Sequence, residues 1–183
     1  MNETAKSESV EILLTAKEIR ARVKEIAYDI TRDFEGRHIT LLGTLKGAVF
    51  FLTDLARELP FDIEIDFIRA SSYGNQTESS GTVAIDHAPA VKIEGKNIIV
   101  IEDIVDTGHT AVRLREYLLK QNAAEVRLCS LLDKPERRVE QGLKIDYLGF
   151  EIPDKFVVGY GLDYAQRYRN LPYVGILNFH EGR

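Results

Sequence analysis

Ile98-Ile99-Val100-Ile101-Glu102-Asp103-Ile104-Val105-Asp106-Thr107-Gly108-His109-Thr110 is the stretch from which the fold of this chain can be read. Ile98 to Ile101 is an unbroken run of branched and apolar residues, which predicts a parallel strand over 97–101 covered on both faces. An acidic pair follows, then a turn of small polar residues that opens a helix predicted over 111–120. In open α/β sheets ligands sit beyond the carboxyl ends of the strands, which is where Asp106 to Thr110 lies. Gly108 lets the backbone bend so that successive N–H groups converge. Thr107 and Thr110 add hydroxyl donors, and the helix adds its positive end. Together these features suit a phosphate monoester. Glu102 and Asp103 would repel a phosphate they touched, but they fit a vicinal diol, or a Mg²⁺ held by a diphosphate. A sugar with a 5-phosphate, vicinal hydroxyls and a diphosphate meets every demand. The plainer alternative is that the Asp-Thr-Gly turn only caps a helix.

Outward from this stretch the chain is ordinary. Its 183 residues are 44% apolar and 29% charged, as expected of one folded domain and too apolar for a disordered chain. A domain of this size buries about 70% of its unfolded surface, so it needs no disulfide or structural metal. The single cysteine, Cys129, excludes an intrachain disulfide. No window approaches the roughly 18 uninterrupted apolar residues of a membrane span. Met1 to Ser9 is polar and lacks the apolar core of a secretory signal, so a cytoplasmic address is expected. The net charge of −5 disfavours non-specific nucleic-acid binding.

Thr15 and Glu18 have capping-box spacing, and Ile19, Val23, Ile26, Ala27 and Ile30 share one face of a helix running to about Phe34. A strand is predicted over 38–42, a loop over 43–47, a helix over 48–59 closed by Pro60, and a half-buried strand in which Ile63, Ile65 and Phe67 alternate with acids. Ser71 to Ser80 has almost no apolar content and reads as a lid or a disordered loop. Beyond it, 83–85 and 91–93 suggest a hairpin arm. Further strands are expected over 126–132, 145–150, 156–160 and 173–177. Alternating strands and helices give an α/β domain around a central, mostly parallel sheet.

The 98–110 stretch resembles the phosphoribosyl-pyrophosphate (PRPP) signature of the type I phosphoribosyltransferases. Four further stretches narrow the resemblance to the hypoxanthine-guanine phosphoribosyltransferases: Leu45-Lys46-Gly47, Ser71-Ser72-Tyr73-Gly74, Leu131-Leu132-Asp133-Lys134-Pro135, and Pro153 through Tyr164. They stand in family order and cover nearly the whole chain after Glu11. The resemblance implies one phosphoribosyltransferase domain over 1–183. It would have a phosphate loop at 102–110, a mobile flap at about 71–81, and a purine-binding hood from about 133–183 with the N-terminal segment.

It also implies roles. Leu45, Lys46 and Gly47 would bind pyrophosphate through backbone amides, often with a cis peptide between the first two; taken alone, Lys46 reads as a surface charge. Glu102 and Asp103 would hold ribose and metal, and Asp106, Thr107, Gly108, His109 and Thr110 the 5-phosphate. Asp106 would also take the purine N7 proton. Lys134 would donate to the 6-oxo group, which an ammonium can do and a 6-amino group cannot accept. Phe156 would stack on the base and the backbone at Val157 would read its edge, although a lone Phe in an apolar run is usually core. Asp163 would join the purine set and, with Glu102 and Asp103, the Mg²⁺ ligands. Arg169 would clamp pyrophosphate with its planar fork; by spacing alone Asp163 and Arg169 read as a surface pair. Ser72 and Tyr73 of the flap would close over the reacting centre. His109 departs from the Asn common at its position, and Asp86-His87-Ala88-Pro89 from a more charged stretch.

The expected substrates are PRPP and hypoxanthine or guanine, with Mg²⁺ as cofactor. No nucleic-acid or membrane partner is expected, and the assembly should be a homodimer or homotetramer. The alternatives are a PRPP- or purine-sensing regulator of the same fold, or an enzyme preferring xanthine.

Overall fold

The apolar run at 98–101 is the centre of the molecule in the computed structural model, which describes residues 7–72 and 83–180. Its strand alternates between two cores. Ile99 and Ile101 enter one hydrophobic cluster, while Ile98 and Val100 enter the other. A strand with apolar neighbours on both faces needs no polar side, which explains the uninterrupted sequence.

The elements in chain order are β1 (Ser7–Leu14), α1 (Ala16–Asp33), β2 (Ile39–Thr44), α2 (Val49–Glu58), β3 (Glu64–Ser72), β4 (Val83–His87), β5 (Asn97–Val105), α3 (His109–Lys120), β6 (Glu125–Asp133), β7 (Tyr147–Glu151), β8 (Val157–Val158) and β9 (Val174–His180). A short 3₁₀ turn, Pro135–Arg137, follows β6. The central sheet has the order β4-β3-β2-β5-β6-β7, parallel throughout except for antiparallel β4. Helices α1 and α2 cover one face and α3 the other. A second sheet, β1-β9-β8, forms the hood.

Helix α1 starts as its sequence dictates. Thr15 accepts from the Glu18 amide, and the Glu18 carboxylate accepts from the Thr15 amide at 2.8 Å, a reciprocal cap worth about 1 kcal/mol. The predicted apolar face of α1 is the buried one. Cys129 is fully buried in β6, where burial pushes its thiol pKa up and leaves it unreactive.

Several boundaries differ from expectation. β5 runs on to Val105, because β6 pairs with it as far as Val105↔Asp133; Glu102 and Asp103 are therefore strand residues, and the connecting turn is only 106–108. β2 likewise absorbs Gly43 and Thr44. The arm is not a hairpin of 83–85 with 91–93: β4 pairs with β3, and the Val91 amide donates to Asp66 Oδ2 at 2.8 Å instead of joining a ladder. β7, inside the range expected for the hood, pairs parallel with β6 in the central sheet. Ile65, expected to face the core, is 44% exposed. β1, unforeseen from the sequence, completes the hood by pairing with β9 from Ser7↔His180 to Leu14↔Val174. Ser72 ends β3, whereas Tyr73 and the flap to residue 81 lie outside the described residues.

Candidate active site

From β2 the chain moves to β3 on one side of the sheet, and from β5 to β6 on the other. The β2/β5 boundary is therefore a topological switch point, where carboxyl-end loops diverge and leave a crevice. The loop after β2 carries Leu45, Lys46 and Gly47, and the turn after β5 carries Asp106, Thr107 and Gly108. Lys134 follows β6 on the next strand. Parallel pairing alone brings these segments to one edge.

The phosphate turn is held open. Gly108 is the N-cap of α3 at φ 91°, and no side chain caps the helix. The His109 amide makes only a long contact to Thr107 Oγ1, at 3.5 Å, so the first-turn amides can turn to an anion. They border a cavity of about 90 Å³ lined by Glu102, Ile104, Val105, Asp106, Thr107, Gly108, Thr110 and Ala111. Asp106 does not cap the helix; its Oδ1 accepts from Arg137 Nε at 2.6 Å. The Thr107 carbonyl accepts from the Val139 and Glu140 amides at 3.0 and 3.1 Å, which ties the turn to the segment after β6. His109 Nδ1 lies 2.7 Å from Glu140 Oε1, so its ring turns to that carboxylate. Larger hollows of about 570 and 440 Å³ lie at the opposite, amino edge of the strands, around Arg37 and His38.

The acidic pair divides. Glu102 is buried, its Oε2 accepts from Thr44 Oγ1 at 2.7 Å, and its Oε1 has no hydrogen-bond partner. Burial first, and then the charge of Asp103, push the Glu102 pKa up to about 8. Asp103 lies against the backbone of the 45–47 loop: a Cβ on Gly47 would stand 1.6 Å from Asp103 Oδ2. Burial raises the Asp103 pKa to about 6, opposed by the amides of Asp103 and Ile104 and by Arg169, and assisted by Asp163. Asp163 thus lies near enough to Asp103 for its charge to act there. Two neighbouring carboxylates suit a Mg²⁺ that takes its remaining ligands from substrate and water. The described residues contain no group of three or more His, Cys, Asp or Glu side chains able to hold a metal, so Glu102, Asp103 and Asp163 are not gathered into the three-carboxylate set expected from the resemblance; Glu102 is turned to Thr44 instead.

The Leu45–Lys46 peptide is cis, as the resemblance implies. Against this loop packs Gly161, whose hypothetical Cβ would lie 1.9 Å from the Gly47 carbonyl oxygen. Beyond Gly161 the chain makes a tight turn from Asp163 to Arg169. Ala165, Gln166 and Tyr168 stand at φ 49°, 64° and 76°, conformations that cost an L-residue about 1–2 kcal/mol each. Within it Arg169 Nη2 meets Asp163 Oδ1 at 2.6 Å, Arg169 Nη1 donates to the Gly161 carbonyl at 2.6 Å, and the Gln166 amide donates to Asp163 Oδ2 at 2.8 Å. Lys46 Nζ reaches Gln166 Oε1 at 3.4 Å.

Lys134 is only 8% exposed, its amide donates to the Val105 carbonyl at 3.0 Å, and its Nζ lies 3.4 Å from Asp154 Oδ1. Arg137 bridges Asp106 and Asp154, the latter at 3.6 Å. Phe156 is 51% exposed and meets the Tyr164 ring edge-on at 5.8 Å; Val157 is buried in β8. Sequence reasoning assigned no role to Thr44, Arg137, Glu140, Asp154 or Gly161. Asp154 and Gly161 stood inside the quoted 153–164 stretch and Arg137 just beyond Lys134-Pro135, but their pairing depends on the crossing of separate loops.

A model of the phosphoribosyl transferase domain matches residues 9–165. The chain belongs to this family. Among phosphoribosyltransferases, it is 45% identical over 166 residues to the hypoxanthine-guanine phosphoribosyltransferase of Bacillus subtilis (strain 168), covering 91% of this chain and 92% of that protein. A crystal structure of a hypoxanthine-guanine phosphoribosyltransferase from Bacillus anthracis superposes with a TM-score of 0.86 at 46% identity, covering 91% of this chain and 97% of that one. The bifunctional protein TilS/HprT of Listeria monocytogenes serotype 4b (strain F2365) is 45% identical over 177 residues; the chain spans 27% of that relative's length. The phosphoribosyltransferase fold expected from the motifs is the fold found, and no helix of the described residues is long and apolar enough to cross a membrane.

Proposed function

We propose that the chain transfers the 5-phosphoribosyl group of PRPP to hypoxanthine or guanine, giving the nucleoside monophosphate and pyrophosphate. The observation that carries this reading is the buried Lys134 hydrogen-bonded beside the uncapped phosphate turn. One crevice thus offers an anion cradle and, next to it, a cation suited to a 6-oxo group. The amides after Gly108 and the hydroxyls of Thr107 and Thr110 would bind the 5-phosphate, and Glu102 and Asp103 the ribose hydroxyls. The 45–47 amides and Arg169 would hold the pyrophosphate.

As purine N9 bonds to the anomeric carbon, the bond to pyrophosphate breaks and the leaving group departs with its electron pair. The N7 proton passes to Asp106, which Arg137 holds through Oδ1, leaving the second oxygen for the proton. Phe156 stacks on the base and the backbone at Val157 reads its edge, with Asp163 alongside. Asp103 and Asp163 would hold a Mg²⁺ together with the substrate, and that ion would neutralise charge developing on the leaving pyrophosphate. A homodimer or homotetramer in the cytoplasm completes the proposal.

The test is to incubate the protein with PRPP, Mg²⁺ and, separately, hypoxanthine, guanine, xanthine and adenine, and to follow pyrophosphate. Release with hypoxanthine or guanine and none with adenine is expected. No turnover with any 6-oxopurine removes the proposal.

A further inference from the structure

The 163–169 turn holds Asp163 and Arg169 in place although three of its non-glycine residues are left-handed. Such a conformation persists only where the surroundings over-determine it. Part of the restraint is internal, from the Asp163–Arg169 pair and the Gly161 carbonyl. A further restraint comes from the far end of the chain. Glu8 on β1 takes Arg167 Nη2 on both carboxylate oxygens, at 2.7 and 2.8 Å, and accepts the Tyr168 hydroxyl on Oε2. The hydrogen bonds from Tyr168 and Arg167 hold the Glu8 carboxyl below its ordinary pKa. The Arg167 guanidinium also stands over the Tyr168 ring, 5.2 Å from its centroid. Glu8, Arg167 and Tyr168 all lie outside residues 9–165, the stretch that the family model matches.

We infer that Glu8 is a positioning residue for pyrophosphate: through Arg167 and Tyr168 it clamps the strained turn so that Arg169 and Asp163 face the leaving group. This rests on the pyrophosphate role proposed above for that turn. Purine binding should be affected less. Tyr164, which abuts Phe156, is touched by Arg167, 5.7 Å from its ring centroid, but is braced independently by Phe179 at 5.2 Å.

The test compares the full chain with Glu8→Ala, Glu8→Gln and Arg167→Met. Calorimetry reads the affinity for magnesium pyrophosphate, kinetics the KM for PRPP and for hypoxanthine, and thermal unfolding the stability. Glu8→Ala is expected to weaken magnesium pyrophosphate binding and raise the PRPP KM about five-fold, the scale of one partly exposed charge cluster. The hypoxanthine KM should rise less than that, and the melting temperature should hardly move. Glu8→Gln, which keeps an acceptor for Tyr168, should recover part of the loss. Arg167→Met should reproduce the loss, and the double variant should lose less than the two singles combined. Unchanged pyrophosphate affinity in Glu8→Ala overturns the inference. So does an equal rise in both KM values with a lowered melting temperature, the mark of a merely structural role. If the wild type binds magnesium pyrophosphate and Glu8→Ala weakens that binding, but no purine is turned over, the clamp stands and the proposed reaction falls.

Discussion

Gly161→Ala places a single methyl group where the segment before the 163–169 turn touches the 45–47 loop. The added Cβ would lie 1.9 Å from the Gly47 carbonyl oxygen, so the loops must part by about 1.5 Å to reach van der Waals contact. Gly161 also stands at φ 104°, where an L-residue is strained by about 1–2 kcal/mol. Overpacking of this kind costs a further 1–3 kcal/mol or so. The expected loss of stability is therefore about 2–5 kcal/mol, or roughly 5–15 °C in Tm for a domain of this size. Gly36→Ala is the matched control. Gly36 is also left-handed, at φ 71°, but has nothing within 4 Å of the added Cβ, so it should lose only the backbone part, about 1–2 kcal/mol. Thermal and urea unfolding of both variants measure the difference, and calorimetry with magnesium pyrophosphate reports whether the 45–47 loop has moved. A Gly161→Ala protein as stable as Gly36→Ala, with unaltered pyrophosphate affinity, would show that the loops are not in the contact described.

Other expectations follow from the same geometry. Asp106→Asn should lower kcat at least about 100-fold, the lower end of proton-transfer catalysis, with little change in PRPP affinity; a normal kcat removes Asp106 from the mechanism. Lys134→Met should raise the hypoxanthine KM by roughly ten-fold or more, since it removes the oxo donor, while the PRPP KM stays near wild type; equal effects on both substrates would refute the assignment. Burial raises the Glu102 pKa from 4.5 to about 8, so its neutral form suits the fold and its ionised form costs stability. That contribution is complete below about pH 4.5 and is lost as pH rises through about 8. In metal-free buffer Glu102→Gln should therefore gain stability over wild type as pH rises from 5 to 9, by a few kcal/mol at most; a difference independent of pH would mean that Glu102 is not titrating in this range.

How much was legible beforehand varies from residue to residue. Ile98 to Ile101 announced a strand buried on both faces because each of its side chains meets an apolar layer, and no partner needed to be known. Thr15 and Glu18 announced a helix start because a capping box closes within one turn. The motifs around Lys46, Asp106, Lys134 and Asp163 carried a family resemblance that the comparisons bear out. By contrast, β1 has no local signal as strong as the helix that follows it. It becomes a strand because β9, more than 150 residues later, offers its free edge. The 91–93 segment looked like a strand by composition, but a side chain of β3 takes its amide and Ile93 packs into the α3 side of the core.

What the sequence determined alone was therefore whatever closes locally: caps, the period of apolar residues, and the residue types that cradle phosphate. Tertiary structure decided which of these groups meet. It set Asp106 on Arg137, turned Glu102 to Thr44, seated Gly161 on the 45–47 loop and brought Glu8 to Arg167 and Tyr168. Each of those contacts joins segments far apart in the chain, whose loop-closure entropy is repaid only when the whole sheet and hood assemble, so no local pattern of residues could have disclosed them.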